Sequence, residues 1–238
     1  MNDPGQPIGD EVAGWTGAKR PSRTSMEGRF CRMEPLATER HLADLFAAYS
    51  DDTDGRLWTY MTDGPFNSIE ELRSWMEPAC AVDDPLFHAL IDLATGKAVG
   101  MAAYMRIKPE HGVIEVGSIT YAPWLQGTSA ATEAMFLMMR RVFNELGYRR
   151  YEWKCDALNA PSCRAAERLG FTFDGLFEQA VVYKGRNRDT AWYSVLDRNW
   201  PPIEQAYVNW LNADNFDEHG RQKQKLQELI AAEQKNFE

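Results

Sequence analysis

The sequence predicts a mixed α/β domain, with helices layered on a mixed sheet. Two observations lead there. Stretches of alternating polarity and stretches with apolar residues at helical spacing succeed one another from residue 29 to residue 200. In the middle, residues 118–134 read as the end of a strand, a tight glycine turn and the start of a long amphipathic helix. At 238 residues, 44% of them hydrophobic and 12% aromatic, the chain suits one large domain with a substantial core and excludes disorder as a whole. The expected division is an extended N-terminal arm at 1–25, the main domain at 26–200 and a helical extension at 201–238.

Each element has its own signal. Residues 1–25 hold Pro4, Gly5, Pro7, Gly9, Gly14, Gly17 and Pro21 with little periodicity, which predicts an arm, and Trp15 predicts that part of it lies against the domain. Residues 29–34 alternate as a first strand. Leu42, Leu45, Phe46 and Tyr49 mark a helix over 36–49, followed by a polar turn at 50–55. Ser68, followed by Glu70 and Glu71, starts a second helix that carries Leu72 and Trp75. Residues 87–92 and 98–107 are strands around the turn Ala94-Thr95-Gly96, and 113–121 is the next strand. The helix after the glycine turn places Ala131, Ala134, Met135, Met138, Val142 and Leu146 on one stripe, and Gly147 ends it. A strand at 151–156, a short helix at 159–169 closed by Gly170, and two strands around 184–189 complete the domain. Residues 201–238 read as a polar helical tail with Trp210 and Phe216, able to dock on the domain or on a second subunit. A homodimer stays open.

Composition excludes several classes of function. A net charge of −9 and a pI near 5.1 argue against nucleic acid or an anionic membrane as a broad partner. No apolar run is long enough to cross a bilayer, and residues 1–25 lack a signal-peptide core, so a cytoplasmic protein is expected. Cys31, Cys80, Cys155 and Cys163 show no metal-ligand spacing, and neither do the four histidines, so no metal is assigned.

The glycine turn has a physical use. A helix start presents free N–H groups and a positive dipole end, which suits a phosphate or pyrophosphate. Gly127, Thr128, Ser129, Ala130 and Ala131 are small enough to let a ligand reach those groups. Glu115 lies inside the apolar strand Val113-Ile114-Glu115-Val116-Gly117, where a carboxylate is costly without a reason. It reads either as a base or as a structural ion pair with Arg106 or Arg150. Gly117 reads as a point where a ligand approaches the backbone. Tyr151, Trp153 and Cys155 fall on one face of their strand, with Glu152, Lys154 and Asp156 on the other. That polar face reads first as solvated, with an acceptor groove as the alternative. The basic run 184–189 reads as an exposed hairpin tip that could also meet an acidic substrate or a nucleotide phosphate.

Three blocks in order give a family resemblance: Glu115-Val116-Gly117; Gly127-Thr128-Ser129-Ala130-Ala131-Thr132-Glu133-Ala134; and Asn159-Ala160-Pro161-Ser162 followed by Leu169-Gly170-Phe171. In these, residues 28–196 resemble the GNAT acyl-CoA N-acyltransferase superfamily, and most closely its RimJ/RimL-like branch. The resemblance implies a mostly antiparallel twisted sheet whose two central parallel strands, here 113–121 and 151–156, splay apart. It implies acetyl-CoA as donor, its pyrophosphate on Gln126, Gly127, Thr128, Ser129, Ala130 and Ala131, and its pantetheine along the freed strand edge at Ile119 and Tyr121. Asn159 and Ser162 take cofactor roles by the same likeness, although Asn159 also fits a helix N-cap. Glu115 is then the candidate base and Ser162 the candidate acid. Trp58, Tyr60 and Phe66, with Trp75 nearby, become an acceptor wall. The family pattern is broken at Trp124, where Gln or Arg is usual, at Ser129, which replaces a second glycine and predicts a tighter cradle, and at Ala166, where many members place a tyrosine acid. The acceptor implied is a primary amine, either a small molecule or a peptide N-terminus, acylated by direct transfer. The alternatives are another acyl donor such as succinyl-CoA, which needs a cationic residue facing the acyl tip, or an acyl-CoA-binding protein without catalysis.

Overall fold

Alternation in the sequence becomes an eight-stranded sheet in the computed structural model, which describes residues 6–237. The strands are β1 (Met26–Glu27), β2 (Cys31–Pro35), β3 (Leu86–Asp92), β4 (Lys97–Lys108), β5 (Val113–Tyr121), β6 (Arg150–Asp156), β7 (Thr172–Tyr183) and β8 (Arg186–Leu196). Their spatial order is β1-β2-β3-β4-β5-β6-β8-β7. Every neighbouring pair is antiparallel except β5 and β6, which run parallel in the middle of the sheet.

Helices cover both faces. α1 (Thr38–Tyr49) and α2 (Ile69–Ala81) pack on one face through Leu42, Leu45, Leu72 and Met76, against Phe87, Ala89, Met101 and Ala103. Ser68 caps α2 by accepting a hydrogen bond from Glu71 N at 3.2 Å, as its spacing predicts. The opposite face receives α3 (Ser129–Arg140), α4 (Ala160–Arg168) and α5 (Trp200–Leu211). The stripe predicted for α3 is buried, but so is every other residue from Ala131 to Met139, Thr132 and Glu133 included, so the helix is enclosed on all sides. Beyond Arg140 the helix widens into a π-helical turn at Arg141–Glu145 before Gly147 stops it with φ +75°. Arg141, inside that turn, is almost fully buried. Its guanidinium donates to Thr24 O at 2.8 Å and Ser25 O at 2.7 Å, pinning the segment that precedes β1.

The tail and the arm are tied more tightly than their composition suggests. α5 buries Trp200, Ile203, Ala206, Tyr207 and Trp210, and Tyr207 stacks on Phe136 of α3 with centroids 4.8 Å apart. Burial of three such aromatic side chains stabilises by roughly 2–3 kcal/mol each, so this stretch is core rather than polar tail. α6 (Leu226–Asn236) packs back on α5 through Leu226 and Ile230. Trp15 lies against Gly112, where a side chain would collide with its ring, and its indole N–H donates to Glu110 O at 2.9 Å. Residues 1–5 of the expected arm and Glu238 lie outside the described residues.

Candidate active site

The functional geometry begins where the parallel pairing fails. β5 and β6 pair only from Val113–Arg150 to Val116–Trp153, yet β5 continues to Tyr121 and β6 to Asp156. A bulge turns β5 away: Gly117 faces Ala103 and Thr120 faces Met101, so Ser118 and Ile119 share Ala102, with Ser118 at φ +48°. Residues 117–121, including the backbone of Ile119 and Tyr121, are left with no strand partner on the β6 side. The Tyr121 side chain is buried, so only its main chain faces the opening. Gly117 does not leave free space, because a Cβ there would lie 2.3 Å from Met105 Sδ.

At the end of β5 stands the helix start. Gly127 takes φ +77°, which favours glycine, and no atom lies within 4 Å of the side chain it lacks. Thr128 is the N-cap: its Oγ1 accepts from Ala131 N at 3.2 Å and donates to Leu125 O at 2.7 Å. The N–H groups of Ser129 and Ala130 have no intrahelical acceptor, as in any first turn. Ser129 sits within regular helix, so the tightness expected from the lost second glycine does not arise; a left-handed residue is needed only at Gly127. Gln126 donates from Nε2 to Tyr121 O at 3.4 Å, and Trp124 is half exposed beside the turn.

α4 closes the same side of the opening. Asn159 caps it by accepting from Ser162 N at 3.2 Å, so the cap role is realised. Ser162 Oγ accepts from Trp153 Nε1 at 3.0 Å, which holds the hydroxyl beside the strand where pairing stops. Cys155 and Cys163 lie with their sulfurs 3.6 Å apart, and burial pushes the Cys155 thiol up to about 12. Ala166 is fully buried, with no room for a tyrosine.

The other face of the opening is charged. Glu115, 2% exposed, pairs through Oε1 with Arg106 Nη1 at 2.5 Å and stands 2.8 Å through Oε2 from Lys154 Nζ. Lys154 also lies 2.8 Å from Glu152 Oε2 and 3.7 Å above the centre of the Trp192 ring. Glu152 in turn meets Arg150 Nε at 2.7 Å, and Arg150 continues to Asp174. Glu152 and Asp156 are buried and Lys154 is largely covered, which corrects the solvated reading of that face. The reason is register. Glu115 stands opposite Glu152, and Lys154 opposite Trp192, so the cations are drawn into a shared network with an aromatic lid. Arg106 is Glu115's partner, as one alternative had it, whereas Arg150 serves Glu152 and Asp174. Burial raises the Glu115 carboxyl above its ordinary range, and Lys154 and Arg106 offset only part of that shift.

The expected acceptor wall is divided. Trp58 and Phe66 stack edge-to-face at 5.1 Å and, with Tyr49, Asp52 and Asp54, line a cavity of about 290 Å³ between α1 and α2. Tyr49 also donates its hydroxyl to Thr120 O in the opened half of β5. Tyr60 lies apart from that cavity and donates to Leu158 O at 3.1 Å, linking the α1–α2 loop to the turn after β6. The β7–β8 hairpin is no free tip: only Lys184 and Gly185 form its turn, both with positive φ, and Lys184 Nζ donates to Trp58 O at 2.8 Å. Tyr183, just before that turn, donates to Asp156 Oδ2 at 2.8 Å. None of these four cross-element ties carries a local sequence signal. Among the described residues no cluster of His, Cys, Asp or Glu is arranged to hold a metal, and no helix is long and apolar enough to cross a membrane.

Comparison with known proteins bears on this geometry. Residues 32–172 match the family model described as an acetyltransferase (GNAT) domain. A crystal structure of a GCN5-related N-acetyltransferase from Brucella melitensis is 50% identical, with a TM-score of 0.90, over 92% of this chain and all of that one. An uncharacterized N-acetyltransferase p20 of Bacillus licheniformis is 26% identical over 183 residues, 71% of this chain and 99% of that protein. In fold alone, the chain also resembles an acetyltransferase from Salmonella typhimurium that modifies the N-terminal serine of ribosomal protein L7/L12. That structure is 17% identical, with a TM-score of 0.63, over 72% of this chain and 98% of the other.

Proposed function

The chain belongs to the GNAT acetyltransferase family, and on that premise we propose that it transfers the acetyl group of acetyl-CoA directly to a primary amine. The amine belongs to a small molecule or to a protein N-terminus, as in the RimJ/RimL-like branch, and the setting is cytoplasmic, in keeping with four free thiols. The observation that carries this reading is the opening between β5 and β6, with unpartnered strand edge at 117–121 and a helix start at its mouth. Acetyl-CoA, when bound, supplies an activated thioester carbonyl. Its pyrophosphate fits the N–H groups of Gly127, Ser129 and Ala130, where the open space beside Gly127 gives access. Gln126, Thr128 and Ala131 shape that turn, the backbone of Ile119 and Tyr121 faces the pantetheine, and Asn159 fixes the start of α4.

The two faces of the opening divide the chemistry. Glu115, whose proton affinity burial raises, takes the proton that the amine loses as its nitrogen bonds to the carbonyl carbon. Ser162 donates a proton to the departing sulfur, while its hydroxyl stays oriented by the Trp153 indole. Trp58, Tyr60 and Phe66 bound the amine's approach. Purified protein with acetyl-CoA and a panel of primary amines tests the reading through thiol release. Amine-dependent release is expected, whereas amine-independent release, or none, would refute it.

A further inference from the structure

Two thiols meet where β6 ends and α4 begins, and the proposed proton transfers use neither. Cys155, buried, is the second-last residue of β6, beyond the point where that strand leaves β5. Cys163 lies one turn into α4 and is partly exposed. Their sulfurs stand 3.6 Å apart, and a disulfide needs about 2.05 Å, so a closure of about 1.5 Å joins them. The other two cysteines are placed otherwise: Cys31 is enclosed beside Glu133, and Cys80 Sγ meets Thr38 Oγ1 at 3.7 Å. Exposure assigns an order to the pair. An oxidant reaches Cys163 from solvent, whereas burial pushes the Cys155 thiol up, which suits it to a resolving role. Ser162 stands between them. It precedes Cys163 in the chain, its Oγ accepts from Trp153 Nε1 at 3.0 Å, and its hydroxyl acts on the Cys155 sulfur, partly opposing the rise. A disulfide here takes the Cys155 thiol from that hydroxyl and draws the start of α4 toward β6.

We propose that Cys155 and Cys163 form a reversible oxidation site, whose disulfide switches off acetyl transfer by displacing Ser162. The pair stands on its own geometry, and its effect on rate rests on the acetyl-transfer reading above. The oxidant is a hydroperoxide. The Cys163 sulfur, as thiolate, attacks the peroxide oxygen; the O–O bond breaks, an alcohol or water leaves, and a sulfenic acid forms. The Cys155 sulfur then attacks the Cys163 sulfur, the S–O bond breaks, and hydroxide leaves as water with the Cys155 proton. In sum the two thiols lose two hydrogens, and the O–O bond takes up the two electrons. A thiol reductant reverses the bond by exchange, the transient behaviour of a disulfide in a reducing compartment.

Both cysteines fall in one tryptic peptide, 155–164, because Lys154 precedes it and Arg164 ends it. The full chain is treated with hydrogen peroxide, cleared of it by catalase, then assayed, alkylated and mapped by mass spectrometry. The expected result is a 155–164 peptide lighter by two hydrogens and closed to alkylation. With it, kcat should fall about 10²-fold or more, as for a lost proton donor, while acetyl-CoA affinity holds, and dithiothreitol should undo both changes. Cys163→Ala should keep its activity under peroxide. Cys155→Ala should stop at a Cys163 sulfenic acid that dimedone traps, so either variant carries the test if the other fails to fold. Alkylation of both thiols after peroxide, or oxidation of Cys163 with Cys155 still open to alkylation in the wild type, would overturn the proposal. So would a disulfide formed with kcat unchanged, or a loss of activity under peroxide that persists in Cys163→Ala. Absence of acetyl transfer before oxidation would instead refute the acetyl-transfer reading, and the peptide map would still decide the thiol pair.

Discussion

The two faces of the opened sheet are built by different means. On the α3 and α4 face, the donor groups are main-chain N–H groups of neighbouring residues, presented by one turn at Gly127 and two capped helices. On the α1 and α2 face, the polar groups are side chains from β4, β5, β6 and β7, meeting through Arg106, Glu115, Lys154, Glu152, Arg150 and Asp174. Backbone sites depend on conformation and tolerate most side-chain changes. Side-chain networks depend on register and on each member's charge, and a buried pair that loses one partner costs several kcal/mol. Substitutions on the first face should alter donor affinity or local stability, and those on the second should alter proton transfer.

The largest expected effect is on the second face. Glu115→Gln should lower kcat by about 10²–10⁴-fold, the usual worth of a general base, and abolish the rising limb of the pH–rate profile. In the wild type that limb should lie above the ordinary carboxylate range, because burial raises the Glu115 pKa. The same shift sets a sign for stability. The folded state binds this proton more tightly than the unfolded chain, so Glu115's contribution is full at low pH and is lost as pH rises through the raised value. Thermal melts of Glu115→Gln should lack that component.

Lys154→Met should destabilise by about 3–5 kcal/mol, as removal of one partner from a buried ion pair does. It should also move the rising pH limb further toward alkali, since Glu115 loses a cation at 2.8 Å. An unshifted limb would separate Glu115 from the rate. On the first face, Gly127→Val should cost about 1–3 kcal/mol through backbone strain at φ +77°, with no steric clash to add. Thr128→Ala should cost about 1 kcal/mol by loss of the N-cap, read as a lowered midpoint in urea unfolding with kcat retained.

This contrast also explains what the sequence could reveal. The bounds of β5, the stripe of α3, the cap at Ser68 and the caps around Gly127 and Asn159 follow from local rules that act within a few residues. Glu115 stood out because it interrupts an apolar strand. That Lys154 would serve it, under Trp192, required the pairing of β5 with β6 and of β6 with β8, which join segments some 40 residues apart in sequence. Alternation correctly put Glu152, Lys154 and Asp156 on one face but says nothing of what covers it, so the face read as solvated. The hairpin at Lys184 escaped for the same reason, because its partner is the main chain of Trp58. Arg141, in the π-helical turn, reaches back to Thr24 and Ser25, a contact with no periodic trace.

In the proposed reaction, the turn at Gly127 holds acetyl-CoA apart from the acid–base chemistry. Calorimetric titration of acetyl-CoA, succinyl-CoA and free CoA into the wild type, Gly127→Val and Glu115→Gln tests it most directly. Saturable one-site binding that favours acetyl-CoA is expected in the wild type, weakened about tenfold or more by strain at Gly127 and unchanged in Glu115→Gln. Absence of saturable binding in the wild type, or affinity lost at Glu115 and retained at Gly127, would contradict it.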